Sequence, residues 1–186
     1  MITFHDVLGF WFSSATRPNW FEKSDAFDAE VRRLLLPLHE QAASGRLTEW
    51  REHPQGCLAL VIPLDQIPRN VFRDTPRAFA SDPAALALTK LAIERGYDAG
   101  LNLEERVFLY LPLEHSEDLA LQHQCVVLFE ELERINDHPQ FASFTRYAIA
   151  HRDVIARFGR FPHRNAVLQR QSTPDELAYL ERHGGF

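Results

Sequence analysis

Cysteine, glycine and lysine are all scarce in these 186 residues, and each scarcity removes a class of function. The two cysteines, Cys57 and Cys125, stand far apart in the apolar runs CLALVI and CVVLF. They make neither a disulfide framework nor a zinc-binding set, and each reads as a small buried thiol in a reducing compartment. Eight glycines supply no dinucleotide-binding turn, no phosphate-cradling loop and no Gly-x-Ser-x-Gly elbow for a serine nucleophile. No apolar run approaches the roughly 20 residues that a membrane helix needs. The opening MITFHDVLGFWF has no basic segment ahead of its apolar residues and no small-residue cleavage site, so a signal peptide is not expected. A cytoplasmic, membrane-free protein is therefore the expectation. Basic side chains number 20 against 26 acidic, a balance of −6 that argues against a sequence-independent nucleic-acid binder. All but Lys23 and Lys90 are arginine, whose planar fork suits carboxylates and phosphates, although a GC-rich gene produces the same bias.

What is present is helical periodicity. Thr3 is placed to cap a short amphipathic helix in which Phe4, Val7, Leu8 and Trp11 share a face, with Trp20 and Phe21 packing back from the following loop. A second helix is predicted from Ser24 to Gly45, kinked or split at Pro37, and residues 47–52 add a further turn. The run GCLALVIPLDQIPRNVF is apolar almost all round, but Pro63 and Pro68 lack the N–H of a sheet ladder. It reads as a buried, kinked helix on which Asp65 shares a face with Arg69, and Gln66 with Asn70. Thr75-Pro76 and Asp82-Pro83 both place a capping side chain before a proline at the first helical position, and the second pair launches a helix that Gly96 ends.

The segment LEERVFLYLP forms a shorter helix interrupted by Pro112. Ser116 is expected to cap the next, whose Leu121, Cys125, Leu128, Leu132 and Ile135 make one stripe, with Glu117 a turn before it. Between residues 141 and 158, Phe141, Phe144, Ala148, Ile155 and Phe158 fall at offsets 0, 3, 7, 14 and 17, and His151 fills the missing 10. An imidazole thus faces the core side of its own helix. Gly159 closes that helix, Pro162 opens a short helical stretch, and Thr173-Pro174-Asp175-Glu176 has capping-box spacing before a last helix that Gly184 ends. With no strand pattern and no linker, residues 1–186 are expected to form a single all-α domain of about eight to ten helices.

The blocks VLGFWF at 7–12, LALVIPLDQIPRNVFRDTPRAFASD at 58–82, FLYLPLEHSED at 108–118, HRDVIARFGRFPHRNAVL at 151–168 and STPDEL at 172–177 closely resemble the bacterial domain of unknown function 924 family. The likeness covers nearly the whole chain. It implies an all-helical, TPR-like fold and brings no activity and no site residue with it. The chain itself lacks the repeat of about 34 residues that marks TPR sequences. Pro63 stands where the family pattern has a longer apolar residue, which implies an earlier kink ahead of Asp65.

Ionisable side chains gather in three sets. The stretch LPLEHSE brings Glu114, His115 and Glu117, followed by Asp118; HRDVIARFGRFPHRN brings His151, Arg157, Arg160, His163, Arg164 and Asn165; Asp65, Gln66, Arg69 and Asn70 form the third. All sit on elements that read as buried, where an unpaired charge costs several kcal/mol, so each needs a partner. One reading pairs them with one another, Asp65 or Glu117 with Arg157 or Arg164, as an ion-pair network fixing helix register. Another lines a pocket for a small anionic ligand, with His115, Glu117 and His151 as candidate acid–base groups and Asp65, Gln66, Arg69, Asn70, Glu114, Arg157, His163, Arg164 and Asn165 as contacts. A satisfied core histidine is the plainer role for His151, and an N-cap the plainer role for Ser116. A third reading is a TPR-like interaction module whose turn from Arg157 to Arg170, with four arginines and no acid, docks an acidic peptide.

RNA binding has the local charge but lacks stacking aromatics in a loop. Metal ligation is not expected, because Glu114 and His115 are adjacent and no Glu-x-x-His falls in the two main clusters. His151-Arg152-Asp153 copies the start of a kinase catalytic loop, yet Phe158 stands where that loop needs asparagine. Cofactor and oligomeric state are left unspecified.

Overall fold

A computed structural model of the protein describes residues 2–186. Among the described residues there are eight α-helices and no strand: α1 (Phe4–Trp11), α2 (Asp25–Ala43), α3 (Pro54–Val71), α4 (Asp82–Glu94), α5 (Leu103–Glu114), α6 (Leu119–Arg134), α7 (Pro139–Phe158) and α8 (Pro174–His183). The all-α class and the helix number agree with the sequence reading. The chain divides into two compact units, one comprising the residues up to Arg73 together with Arg77–Pro112, the other Asp74–Pro76 with Leu113–Phe186.

In the first unit α3 is buried on every side from Gly56 to Pro68. Gly56 is obligatory, because a Cβ there would collide with the carbonyl of Trp50. The helix continues through both internal prolines. Pro68 removes the N–H that would reach the carbonyl of Leu64, and Ser81 Oγ donates to that carbonyl instead, at 2.6 Å. The carbonyl of Pro63 accepts from Nδ1 of the buried His39 at 2.8 Å. Pro37 sits on an exposed position of α2, which is likewise continuous rather than split, because water can serve the carbonyl left over. Trp20 packs back as expected, its Nε1 donating to the carbonyl of Trp11 at 2.9 Å and its ring 4.6 Å from Phe108, and Phe21, though 58% exposed, stacks on the same Phe108 at 5.9 Å.

Three expected helix boundaries are corrected. Asp82 is the first residue of α4 rather than its cap, because its carboxylate is taken by Arg69 in a two-pronged contact of 2.8 and 3.0 Å. Pro112 lies within α5, which extends to Glu114. Helix α6 is capped by Asp118, which accepts from the N–H groups of Ala120 and Leu121, while Ser116 Oγ accepts from Asp118 N. Thr75-Pro76 introduces only the short 3-10 turn Pro76–Ala78.

In the second unit α6 presents Gln122, Cys125, Val126, Phe129 and Leu132 to the interior. The expected stripe is thus rotated, leaving Leu121 and Leu128 half-buried and Ile135 46% exposed. Thr145 of α7 donates to the carbonyl of Phe129, and Phe144 meets the Phe129 ring, which sets α7 against α6. The core-facing set on α7 is close to that expected: Phe141, Ala148, His151 and Ile155 are buried, with Thr145 and Val154 added. Gly159 ends α7 at φ 69, and Thr173 and Glu176 form the expected capping box of α8.

Candidate functional site

The LPLEHSE corner is held from α6. Gln122 is fully buried, and its Nε2 donates to the carbonyls of Glu114 at 2.6 Å and Ser116 at 2.7 Å, with that of Leu113 at 3.4 Å. The Leu113 and Glu114 carbonyls belong to the last turn of α5 and that of Ser116 to the turn after it, so one amide caps the helix and shapes the turn. Glu114, in the last turn of α5, is 5% exposed, and its Oε1 lies 3.4 Å from His151 Nδ1.

His151 is 6% exposed and donates from Nδ1 to the carbonyl of Tyr147, one helical turn back, at 2.8 Å. A carbonyl can only accept, so the neutral ring carries its lone pair on Nε2. Burial drives its pKa from 6.5 down to about 3, against the upward pull of the Tyr147 carbonyl, and the positive charges of His115, His163 and Arg164 push the same way as burial. His151 is consequently neutral near pH 7, and its approach to Glu114 is a dipolar contact rather than an ion pair. The ring of His115 lies 6.4 Å from that of His151. Cys125, also within this unit, is fully buried, and burial together with the Glu114 charge raises its thiol pKa well above the ordinary value.

The loop after Gly159 is fixed by carboxylates. Glu117 accepts from Phe161 N at 2.8 Å and takes both arms of Arg170, at 2.6 and 2.9 Å, while Arg170 Nη2 also donates to the carbonyl of Phe161 at 3.0 Å. Both backbone polar groups of Phe161 are thereby clamped. Burial raises the Glu117 pKa, but the hydrogen bonds and charge of Arg170 and the Phe161 N–H outweigh it and leave the carboxyl below its usual range. Arg170 Nε reaches Asn165 Oδ1 at 2.9 Å, Asn165 Nδ2 donates to Glu176, and Glu176 receives Arg160 at 2.6 and 2.9 Å. The bond from Arg160, aided by the Thr173 N–H, holds the Glu176 pKa at about 2 against the effect of burial.

Around Phe161 the rings form a box. The Phe186 ring stacks on His151 with centroids 3.6 Å apart and planes 21° from parallel; Phe161 and His163 stand against it at 82° and 77°, with centroids at 6.0 and 5.9 Å. Arg164 lies with its guanidinium carbon 4.5 Å from the Phe161 ring centroid. Each such ring pair contributes about 0.5–1.5 kcal/mol beyond burial.

The candidate residues thus fall into separate groups. In the second unit Glu114, His115, His151, His163 and Arg164 gather around Phe161, with Glu117 and Asn165 in the clamp behind it. Arg157 lies apart, its guanidinium carbon 4.7 Å from the Phe158 ring and 6.0 Å from that of Tyr179, beside a cleft of about 400 Å³ that Arg160 and Asp175 also line. In the first unit Asp65, fully buried, accepts from Gln66 at 2.7 Å and lies 3.4 Å from Arg69, which also binds Asp82, and these two carboxylates raise the Arg69 pKa against its partial burial. Asn70 donates to Asp28, which is also held by Arg73, at the edge of a 460 Å³ cleft whose other arginines are Arg32 and Arg33. Sequence reasoning missed Gln122 and Phe186, and placed Arg170 only at the end of the arginine-rich turn and Glu176 only in a capping box. Among the described residues, no three of His, Cys, Asp and Glu are arranged to hold a metal ion, and no helix is long and apolar enough to cross a membrane.

Residues 7–184 match the family described as bacterial protein of unknown function, DUF924. The chain is also similar to the solved structure of ATU0120 from Agrobacterium tumefaciens, a protein of unknown function, at 40% identity over 96% of this chain and 97% of that one, with a TM-score of 0.86. No curated protein matches.

Proposed function

Because the chain belongs to the DUF924 family of bacterial proteins of unknown function, which brings no activity with it, we propose a function from the geometry alone: the second unit binds a small anionic ligand at the cluster of His115, His151, His163 and Arg164. The observation that carries this reading is that His115 lies 6.4 Å from the buried ring of His151, while His163 and Arg164 both lie against Phe161, whose ring is itself 5.6 Å from that of His151. A guanidinium with imidazole N–H groups is a donor set suited to oxyanions. His151, with Nδ1 committed to Tyr147 and its lone pair on Nε2, is held neutral by its burial and is fitted to accept a hydrogen bond from such a ligand rather than its proton. Glu117 acts behind the site, through its clamp on Phe161.

Inorganic phosphate is the first probe. A ligand that binds only the native state raises its melting temperature as concentration rises. Phosphate is expected to raise Tm progressively where sodium chloride at matched ionic strength does not, with the effect lost in His163→Gln and retained in Arg157→Ala. Equal shifts from phosphate and chloride, or full retention in His163→Gln, would sink the reading.

A further inference from the structure

A flat ring already sits in the box beside this cluster. Phe186 lies nearly parallel to His151 at 3.6 Å, with Phe161 and His163, their own centroids 5.6 Å apart, standing steeply to it on one side, so the box is open on the other; it is 48% exposed, unlike the fully buried Phe161. Three features set it apart from ordinary core packing. The floor of the box is the ring of a neutral, buried histidine rather than an aliphatic surface. The wall residue Phe161 is fixed through its own N–H and carbonyl by Glu117 and Arg170, so this wall does not depend on Phe186 for its position. The segment that delivers Phe186 has no side chain to anchor it: Gly184 is at φ 71, and a Cβ on Gly185 would stand 2.7 Å from His163 Cβ, so only glycine lets the chain pass this close.

We propose that the box of His151, Phe161 and His163 is a subsite for the flat aromatic ring of an anionic ligand, and that Phe186 is its exchangeable internal occupant. The ligand class is then a planar aromatic acid, its ring stacked on His151 and its charge turned toward Arg164 and His115, which border the box. The charged half of this assignment rests on the anion-binding reading above; the ring subsite does not. An incoming ring must displace Phe186, so its apparent affinity is reduced by the fraction of molecules in which Phe186 occupies the box.

The experiment compares the full chain with Phe186→Ala and Gly185→Ala, titrating benzoate (ring and charge), benzyl alcohol (ring alone) and acetate (charge alone), with binding followed through the ring C–H signals of His151 by NMR. The proposal expects both variants to bind benzoate about tenfold more tightly than the parent, corresponding to a box about nine-tenths occupied by Phe186, and acetate to gain nothing. Benzyl alcohol gaining as much as benzoate, at equal affinity, keeps the ring subsite and overturns the anion reading. Benzoate and acetate binding equally, with no gain in either variant, overturns the subsite and leaves the anion reading standing. Absence of binding by all three probes to parent and variants overturns both. Because Phe186 is half-exposed, Phe186→Ala is expected to fold, and the second variant reaches the same opened state with the phenyl ring retained.

Discussion

His151 shows how one side chain can be committed on one edge and available on the other. Its Nδ1 is held by the Tyr147 carbonyl, and its neutrality follows chiefly from burial. The unfolded chain takes up a proton near pH 6.5, but the folded chain does so only near 3. Stability contributed by the neutral ring is therefore complete above about pH 6.5 and is lost as pH falls toward 3, at up to about 1.4 kcal/mol per pH unit. Urea unfolding between pH 7 and 5 is expected to show this slope in the parent and a flatter one in His151→Gln; identical slopes would show that the ring titrates normally in the fold. The sequence carried the histidine's placement, because its position in a 3.6-residue pattern is local information. It did not carry the partner of Glu117, since the clamp joins residues 53 positions apart. Nor did it single out Phe186, whose role depends on where a two-glycine segment passes His163.

Among the helices, the boundaries legible in the sequence are those where the capping side chain bonds within its own first turn, as at Thr3, Ser24 and Thr173. At α6 two capping side chains stand two residues apart and the later, Asp118, holds the first turn; elsewhere a polar residue answers to something distant. Asp82 is drawn to Arg69, 13 residues back, and Gln122 occupies the buried face of α6 because its amide serves the end of α5. The prolines of α3 follow the same logic. Ser81 supplies the donor that Pro68 cannot, so Ser81→Ala is expected to cost roughly 1–3 kcal/mol by leaving the Leu64 carbonyl unsatisfied. In a Pro68→Ala background, which restores the backbone N–H, the same change is expected to cost far less. A double-mutant cycle in urea checks this, and strict additivity would mean that Ser81 is not the substitute donor.

For the molecule as a whole, each compact unit contains one buried cysteine, Cys57 in the first and Cys125 in the second. The two thiols report opening of the two units separately. If residues 1–186 unfold as one cooperative domain, as expected from the sequence, both thiols should be labelled with the same opening free energy, and both should become more reactive than intrinsic chemistry predicts as pH falls below 6.5. Mass-spectrometric labelling that finds only Cys125 sensitive would instead show that the units open independently.

The amide of Gln122 also bears on the order of assembly. Its acceptors lie 6, 8 and 9 residues away along the chain, while Glu117 must wait for Arg170 across 53. Loop-closure entropy grows with that separation, so the corner after α5 closes through short excursions and the clamp through a long one. The wall behind the His151 ring is accordingly completed late, on a foundation laid early by a single buried glutamine.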